Sequence, residues 1–243
     1  MRSKRSANTQ MFAMSASPPP VIELAGGRYR LARVFKHDFF AATSLYELAE
    51  PLRVPDRRAE GPLPRIVVKF GRSQGFCGLP LEWFGAAARK HEEAIYRAVA
   101  GIPGVPRWVG RLGRTGYAIE YVEGKPLDHF ERPPAGWFDR MRAIFDAVHE
   151  RGVAYGDGNK RSNMLIGPEG EAWLIDYQIA VRRRDDLPWP LRNVIRGFVN
   201  YLIRRDLYHL YKHKSRMAPD EMTESDWAHA RNRGRLLEFH RRL

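Results

Sequence analysis

One cysteine, Cys77, is all that 243 residues contain. That excludes an internal disulfide framework and a cysteine-rich zinc site, and it suits a reducing compartment. Cys77 itself reads as a small apolar loop residue. Long uncharged runs are also missing. No window approaches the ~20 apolar residues that a membrane-spanning helix needs, and only seven residues separate Arg196 from Arg204. Residues 1–20 start basic but hold no apolar core of about seven residues, their one hydrophobic patch being Met11 to Met14 ahead of Pro18-Pro19-Pro20. A disordered tail over residues 1–22 is expected there, not a signal peptide. Acidic charge is scarce, with 28 Asp and Glu against 41 Lys and Arg, a formal net charge of +13. Such a field favours phosphate-bearing partners of any kind: nucleotides, nucleic acids or anionic membrane surfaces. Zinc-finger spacing and RNA-binding aromatic signatures are absent, so nucleic acid is not an expected partner. No internal repeat and no heptad run is found.

What remains is the composition of a soluble globular protein, 44% hydrophobic and 12% aromatic, long enough for one large domain or two lobes. The first half reads as strands. Arg28 to Leu31 alternates, and Ile66-Val67-Val68-Lys69-Phe70 is a β-branched run bounded by Pro64 and Gly71. A polar, proline-rich stretch from Pro51 to Pro64 lies between them. Leu81, Phe84, Ala88, Ile95, Tyr96 and Val99 recur at helical spacing before Gly101-Ile102-Pro103-Gly104 stops the helix. Strands are expected around Val109 and at Tyr117 to Tyr121, then a connector at Glu123-Gly124-Lys125-Pro126. Phe138, Met141, Phe145 and Val148 mark a second helix. A hairpin follows, Met164 to Ile166 and Ala172 to Ile175 joined by Gly167-Pro168-Glu169-Gly170. From Trp189 onward the pattern is helical and basic, with 15 Lys and Arg against 8 Asp and Glu after residue 181.

The chemistry concentrates in Tyr155-Gly156-Asp157-Gly158-Asn159-Lys160-Arg161-Ser162-Asn163 and in Asp176-Tyr177-Gln178. Phosphoryl transfer needs a group to orient a hydroxyl nucleophile, hard oxygen ligands for Mg2+, and a cation for the phosphates. Asp157 suits the first role, Asn163 and Asp176 the second, and Lys69 at the end of an apolar strand the third. Each acid taken alone reads as a turn former. In this order the set resembles the protein-kinase superfamily, and in particular its looser relatives, the RIO-like protein kinases and the lipopolysaccharide (Kdo and heptose) kinases. The resemblance runs over residues 28–181, and it adds Glu92 as ion-pair partner of Lys69. Glu92 is favoured over Glu93 by counting back from Tyr96 and Val99. Glu120 and Val122 fall in the segment that would contact adenine.

The resemblance implies a two-lobe α+β fold, with an N-terminal lobe over residues 23–122 and a catalytic lobe over 123–243. ATP and Mg2+ would sit in the cleft, and the γ-phosphate would pass to a hydroxyl acceptor, either a lipopolysaccharide core sugar or a protein Ser/Thr. Several family features are replaced. There is no Gly-x-Gly-x-x-Gly between the first strands; the corresponding turn is expected near Phe35 to Phe39. Tyr155-Gly156-Asp157 stands where His-Arg-Asp would, which removes the usual partner of a phosphorylated activation loop, and Asp157 to Asn163 is six residues, not five. No Ala-Pro-Glu is present. A pseudokinase or basic scaffold is therefore the alternative. Lys160 and Arg161 could hold transferred phosphate or form a plain solvated loop. His149 is read as a helix-end residue stabilised by the dipole. Leu191, Val194, Phe198 and Leu202 share a helical face beside Arg192 and Arg196, suited to packing in a helical lobe or to lying on anionic lipid. The expected location is cytoplasmic, with peripheral membrane contact at the inner face as the second of those readings.

Overall fold

The computed structural model describes residues 11–52 and 61–231. Residues 1–10, the centre of the Pro51–Pro64 stretch and the end of the basic tail lie outside the described residues. The protein is α+β. It divides into two compact units, Met1–Ala94 with Arg107–Tyr121, and Ile95–Pro106 with Val122–Leu243. The segment 95–106, which the sequence reading assigns to the first lobe, belongs to the second unit.

The first unit holds β1 (Val21–Leu24), β2 (Gly27–His37), β3 (Ala41–Pro51), β4 (Arg65–Gly71), helix α1 (Glu82–Ala98, whose last turn belongs to the second unit), β5 (Trp108–Leu112) and β6 (Gly116–Glu120). The six strands make one antiparallel sheet ordered β1-β2-β3-β4-β6-β5. One face buries Ile22, Tyr29, Ala42, Tyr46, Ile66, Val68, Phe70 and Ala118. The period-two alternation of β4 is what decides the site: Ile66, Val68 and Phe70 turn into this core, so Lys69 emerges on the opposite face. On α1, Gly85 allows the closest approach, because a Cβ there would run into the main-chain carbonyl of Arg72.

The expected tail is corrected over residues 11–22. Ala13 is buried, its amide donates to the Asp38 carbonyl, and its own carbonyl accepts from the amides of Ser73 and Gln74. Met14 packs on the sheet core, and the Tyr46 hydroxyl donates to the Pro19 carbonyl at 2.7 Å. Val21 and Ile22 already belong to β1. A single small residue inserted between two loops leaves no hydrophobic run, which is why composition alone reads this segment as a tail.

The second unit contains β7 (Lys125–Pro126), α2 (Trp137–Glu150), β8 (Val153–Ala154), β9 (Met164–Ile166), β10 (Ala172–Leu174), β11 (Val181–Arg182), α3 (Leu191–Met217) and α4 (Glu224–Arg231), with short 3-10 turns at 127–129, 161–163 and 219–221. The β9–β10 hairpin is extended by β7, so the segment read as a connector forms a third short strand. α2 buries Trp137, Phe138, Met141, Ile144, Phe145 and Val148. Lys214 of α3 is buried and bonds Asp139 at 3.0 Å and Asp226 at 2.8 Å. Burial works against its charge, but these two carboxylates raise its pKa. Among the described residues no helix is long and apolar enough to cross a membrane.

Candidate active site

In the first unit Lys69 Nζ lies 3.0 Å from Glu92 Oε2, and the Glu92 side chain is almost wholly buried. The antiparallel register sets Tyr117 of β6 opposite Lys69, so both side chains leave the same sheet face, and the Tyr117 hydroxyl donates to the same Glu92 oxygen. The Tyr117 ring is stacked on Trp108, with centroids 4.9 Å apart. Glu92 therefore has two donors fixed by the sheet. Glu93, its neighbour in sequence, is used differently. It accepts from Arg89 at 2.7 Å and from Arg111 at 2.7 Å, an arrangement that fixes the rotation of α1 about its axis.

The turn from β2 to β3 falls at Asp38-Phe39-Phe40, at the far edge of the expected position. Asp38 Oδ1 accepts from the amides of Phe40 (2.9 Å) and Ala41 (3.0 Å), an Asx turn in place of glycines. Beneath it sits Arg72, fully buried. Its guanidinium donates to the carbonyls of Phe39 (2.8 Å), Gly75 (3.2 Å) and Phe12 (3.4 Å), with its carbon 3.8 Å from the Phe39 ring centroid. Arginine suits this place because its planar fork can bind several carbonyls at once while its face stacks on a ring. Burial lowers the Arg72 pKa.

Glu120 ends β6 with its carboxylate occupied by Arg107, whose amide donates at 3.1 Å. Val122 is buried and belongs to the second unit.

In the second unit Asp157 and Asn163 meet, Asn163 Nδ2 donating to Asp157 Oδ2 at 3.0 Å. Lys160 reaches the same oxygen at 2.7 Å. The Lys160 side chain is 60% exposed, so this contact is weakly held. Arg161 contacts the Met217 sulfur. Asp176 adopts φ 61°, the left-handed region that Asp tolerates better than most residues, and a local cost typical of functional positions. The amide of Ile175 donates to the Asn163 carbonyl at 3.0 Å, which ties the Asp176 segment to the Asp157 loop.

What holds this loop is a residue that sequence reading passes over. Asp206 of α3, 1% exposed, accepts from the amides of Tyr155 and Gly156, each at 2.8 Å, and lies 3.1 Å from His149 Nε2. His149 stands in the last turn of α2, as expected, and its ring is in addition a buried partner of Asp206. Gly156 has φ 80° and a Cβ there would meet the Ile179 carbonyl at 3.3 Å, so glycine precedes Asp157 for conformational reasons. His213 contacts the Gly158 carbonyl at 3.1 Å. Burial first, then the charges of Arg161, Lys212 and Arg216, depress the His213 pKa to about 4. Below the loop the rings of Tyr96, Tyr177 and Tyr155 stack edge to face at 5.4 and 5.3 Å. The Tyr155 hydroxyl donates to the Ile175 carbonyl at 2.6 Å, and burial drives its pKa well up.

The predicted residues thus fall into two groups. Lys69 and Glu92 are joined in the first unit; Asp157 and Asn163 are joined in the second, with Asp176 tied to them through the backbone. Among the described residues no group of three or more His, Cys, Asp and Glu could hold a metal ion. Asp157, Asn163 and Asp176 offer two carboxylates and an amide, an oxygen set that fits Mg2+, which takes one or two carboxylates and completes its shell with phosphate and water. Compared with known proteins, the chain matches no protein-family model and no curated protein.

Proposed function

We propose that the protein is an ATP-dependent phosphotransferase with a two-lobe, protein-kinase-like fold. The observation that carries this reading is the way two separate loci are built. A strand lysine is fixed by a buried helix glutamate, and an Asp–Asn pair is held on a loop whose main chain is anchored by Asp206. Lys69 would bind the α- and β-phosphates, with Glu92 and Tyr117 holding its orientation. Asn163 and Asp176 would hold Mg2+, which when bound neutralises charge on the phosphates. Asp157 orients the acceptor hydroxyl and takes its proton as the new oxygen–phosphorus bond forms. The γ-phosphorus bond to the bridging oxygen breaks and ADP leaves with that oxygen.

The acceptor is a hydroxyl of a lipopolysaccharide core sugar or of a protein. Absence of an Ala-Pro-Glu motif, a peptide-platform feature of the resembling family, favours the sugar. The test is transfer of labelled γ-phosphate from Mg-ATP into separated protein and lipopolysaccharide fractions, with Asp157→Asn as control. Label in one fraction that the variant abolishes supports the reading and identifies the acceptor class. No label above the variant in either fraction leaves the pseudokinase or scaffold reading.

A further inference from the structure

The first half of α3 is apolar on two faces: one buries Val199 and Leu202 against Ala154, and the other stays in solvent. Val194 is 65% exposed, Phe198 50% and Leu191 49%, and they share one face at i, i+3 and i+7. Trp189, just before the helix, is 72% exposed and Ile179 52%. The other half of the same helix behaves normally, with Leu210, Tyr211 and Met217 buried. Solvation of five large apolar side chains along one segment is costly unless something covers them.

The charge around this face says what that is. From Ile179 to Arg205 there are seven arginines and two aspartates. Both aspartates are used internally, Asp185 by Arg196 at 3.0 Å and Asp186 by Arg184 at 2.8 Å. Arg182, Arg192, Arg204 and Arg205 form no salt bridge among the described residues. Arg196 with Asp185, and Arg183 with Asn200 at 2.7 Å, tie the basic segment before the helix to its first turns. Arg205 continues the apolar stripe, seven residues beyond Phe198.

We propose that this surface, built from Ile179, Trp189 and the first turns of α3, docks on an anionic lipid bilayer. Aliphatic and aromatic side chains enter the acyl boundary, tryptophan takes its preferred place at headgroup level, and the arginines neutralise lipid phosphates. A second copy of the chain fits less well, because a two-fold contact through this face would set arginines against arginines. A nucleic-acid backbone would satisfy the arginines and leave the apolar side chains in water. The proposal is independent of phosphotransfer: either can fail with the other intact.

The experiment is flotation of the full chain with vesicles of phosphatidylcholine alone and of phosphatidylcholine containing one third phosphatidylglycerol. The protein is expected to float only with the anionic vesicles and to be released as salt rises. Trp189→Ser and Phe198→Ser should each weaken partition about ten-fold, and Arg204→Gln and Arg205→Gln about five-fold each. Arg30→Gln with Arg33→Gln, exposed on β2, is the charge-matched control and should change nothing beyond a weak general effect. All these positions are solvent-exposed, and unchanged melting temperatures would confirm that the fold is retained. The proposal is overturned by absence of flotation with both vesicles, or by flotation indifferent to Trp189 and Phe198. It is equally overturned by a lipid-free dimer that Phe198→Ser dissolves, or by polynucleotide displacing the vesicles with the serine variants unaffected.

Discussion

Two loops, one in each unit, are held by the same device with opposite sign. The turn at residues 38–40 is gathered by a buried arginine, Arg72, whose guanidinium donates to main-chain carbonyls. The loop at 155–157 is gathered by a buried aspartate, Asp206, whose carboxylate accepts from main-chain amides. A buried ion needs hydrogen bonds to remain charged, and main-chain groups supply them without depending on the side chains of the loop. Loop sequence is thereby freed for other work. In the first unit this allows phenylalanines at residues 39 and 40, with no glycine in the turn; in the second it leaves the carboxylate of Asp157 available for Asn163 and Lys160.

The comparison breaks most sharply at Asp206. Asp206→Ala strands the amides of Tyr155 and Gly156 and the His149 ring, and we expect a loss of about 4 kcal/mol in denaturant unfolding. Asp206→Asn, which keeps an acceptor, should recover part of it. Arg72→Met should cost about 3 kcal/mol by removing donors from three carbonyls, and it should weaken ATP binding while leaving the Asp157 loop intact. If both variants lowered stability by less than about 1 kcal/mol, well under the cost of stranding buried main-chain groups, the two buried ions would not be the anchors claimed here.

His213 sharpens the contrast, because it backs the second loop with a group whose titration falls in the range of ordinary pH profiles. Its folded pKa, about 4, lies below its ordinary value, so the unfolded chain takes up the proton first. This contribution is absent above about pH 6.5 and destabilises progressively as pH falls toward 4, by up to about 3 kcal/mol. His213→Gln should flatten that part of the stability profile in melts between those limits, with His209, also depressed to about 4, supplying the remainder.

Much of this was legible in the sequence where side chains pair with side chains or where periodicity speaks. The alternation of Ile66, Val68 and Phe70 puts Lys69 on the other face, and helical counting from Tyr96 and Val99 selects Glu92 over Glu93. The hidden parts are those whose partners are main-chain atoms, which carry no residue signature. Arg72 reads as an ordinary charge after a strand, and Ala13 as part of a tail. Asp206 did leave a trace: it is the one acid between Asp186 and Asp220 in a segment with seven Lys and Arg, four residues from both Leu202 and Leu210 on the buried face. An isolated acid on the apolar stripe of a basic helix is the signal to look for. The exposed apolar face of that helix was less legible, since an apolar stripe looks the same whether it meets a core or solvent.

The most direct test of the central claim is calorimetric binding of ATP with and without Mg2+ to the wild-type chain, Lys69→Met and Asp176→Asn. The account predicts Mg2+-dependent binding that each substitution weakens about ten-fold or more, the usual loss for a charge-assisted contact. Absence of binding in the wild type, or binding that neither substitution changes, would contradict it.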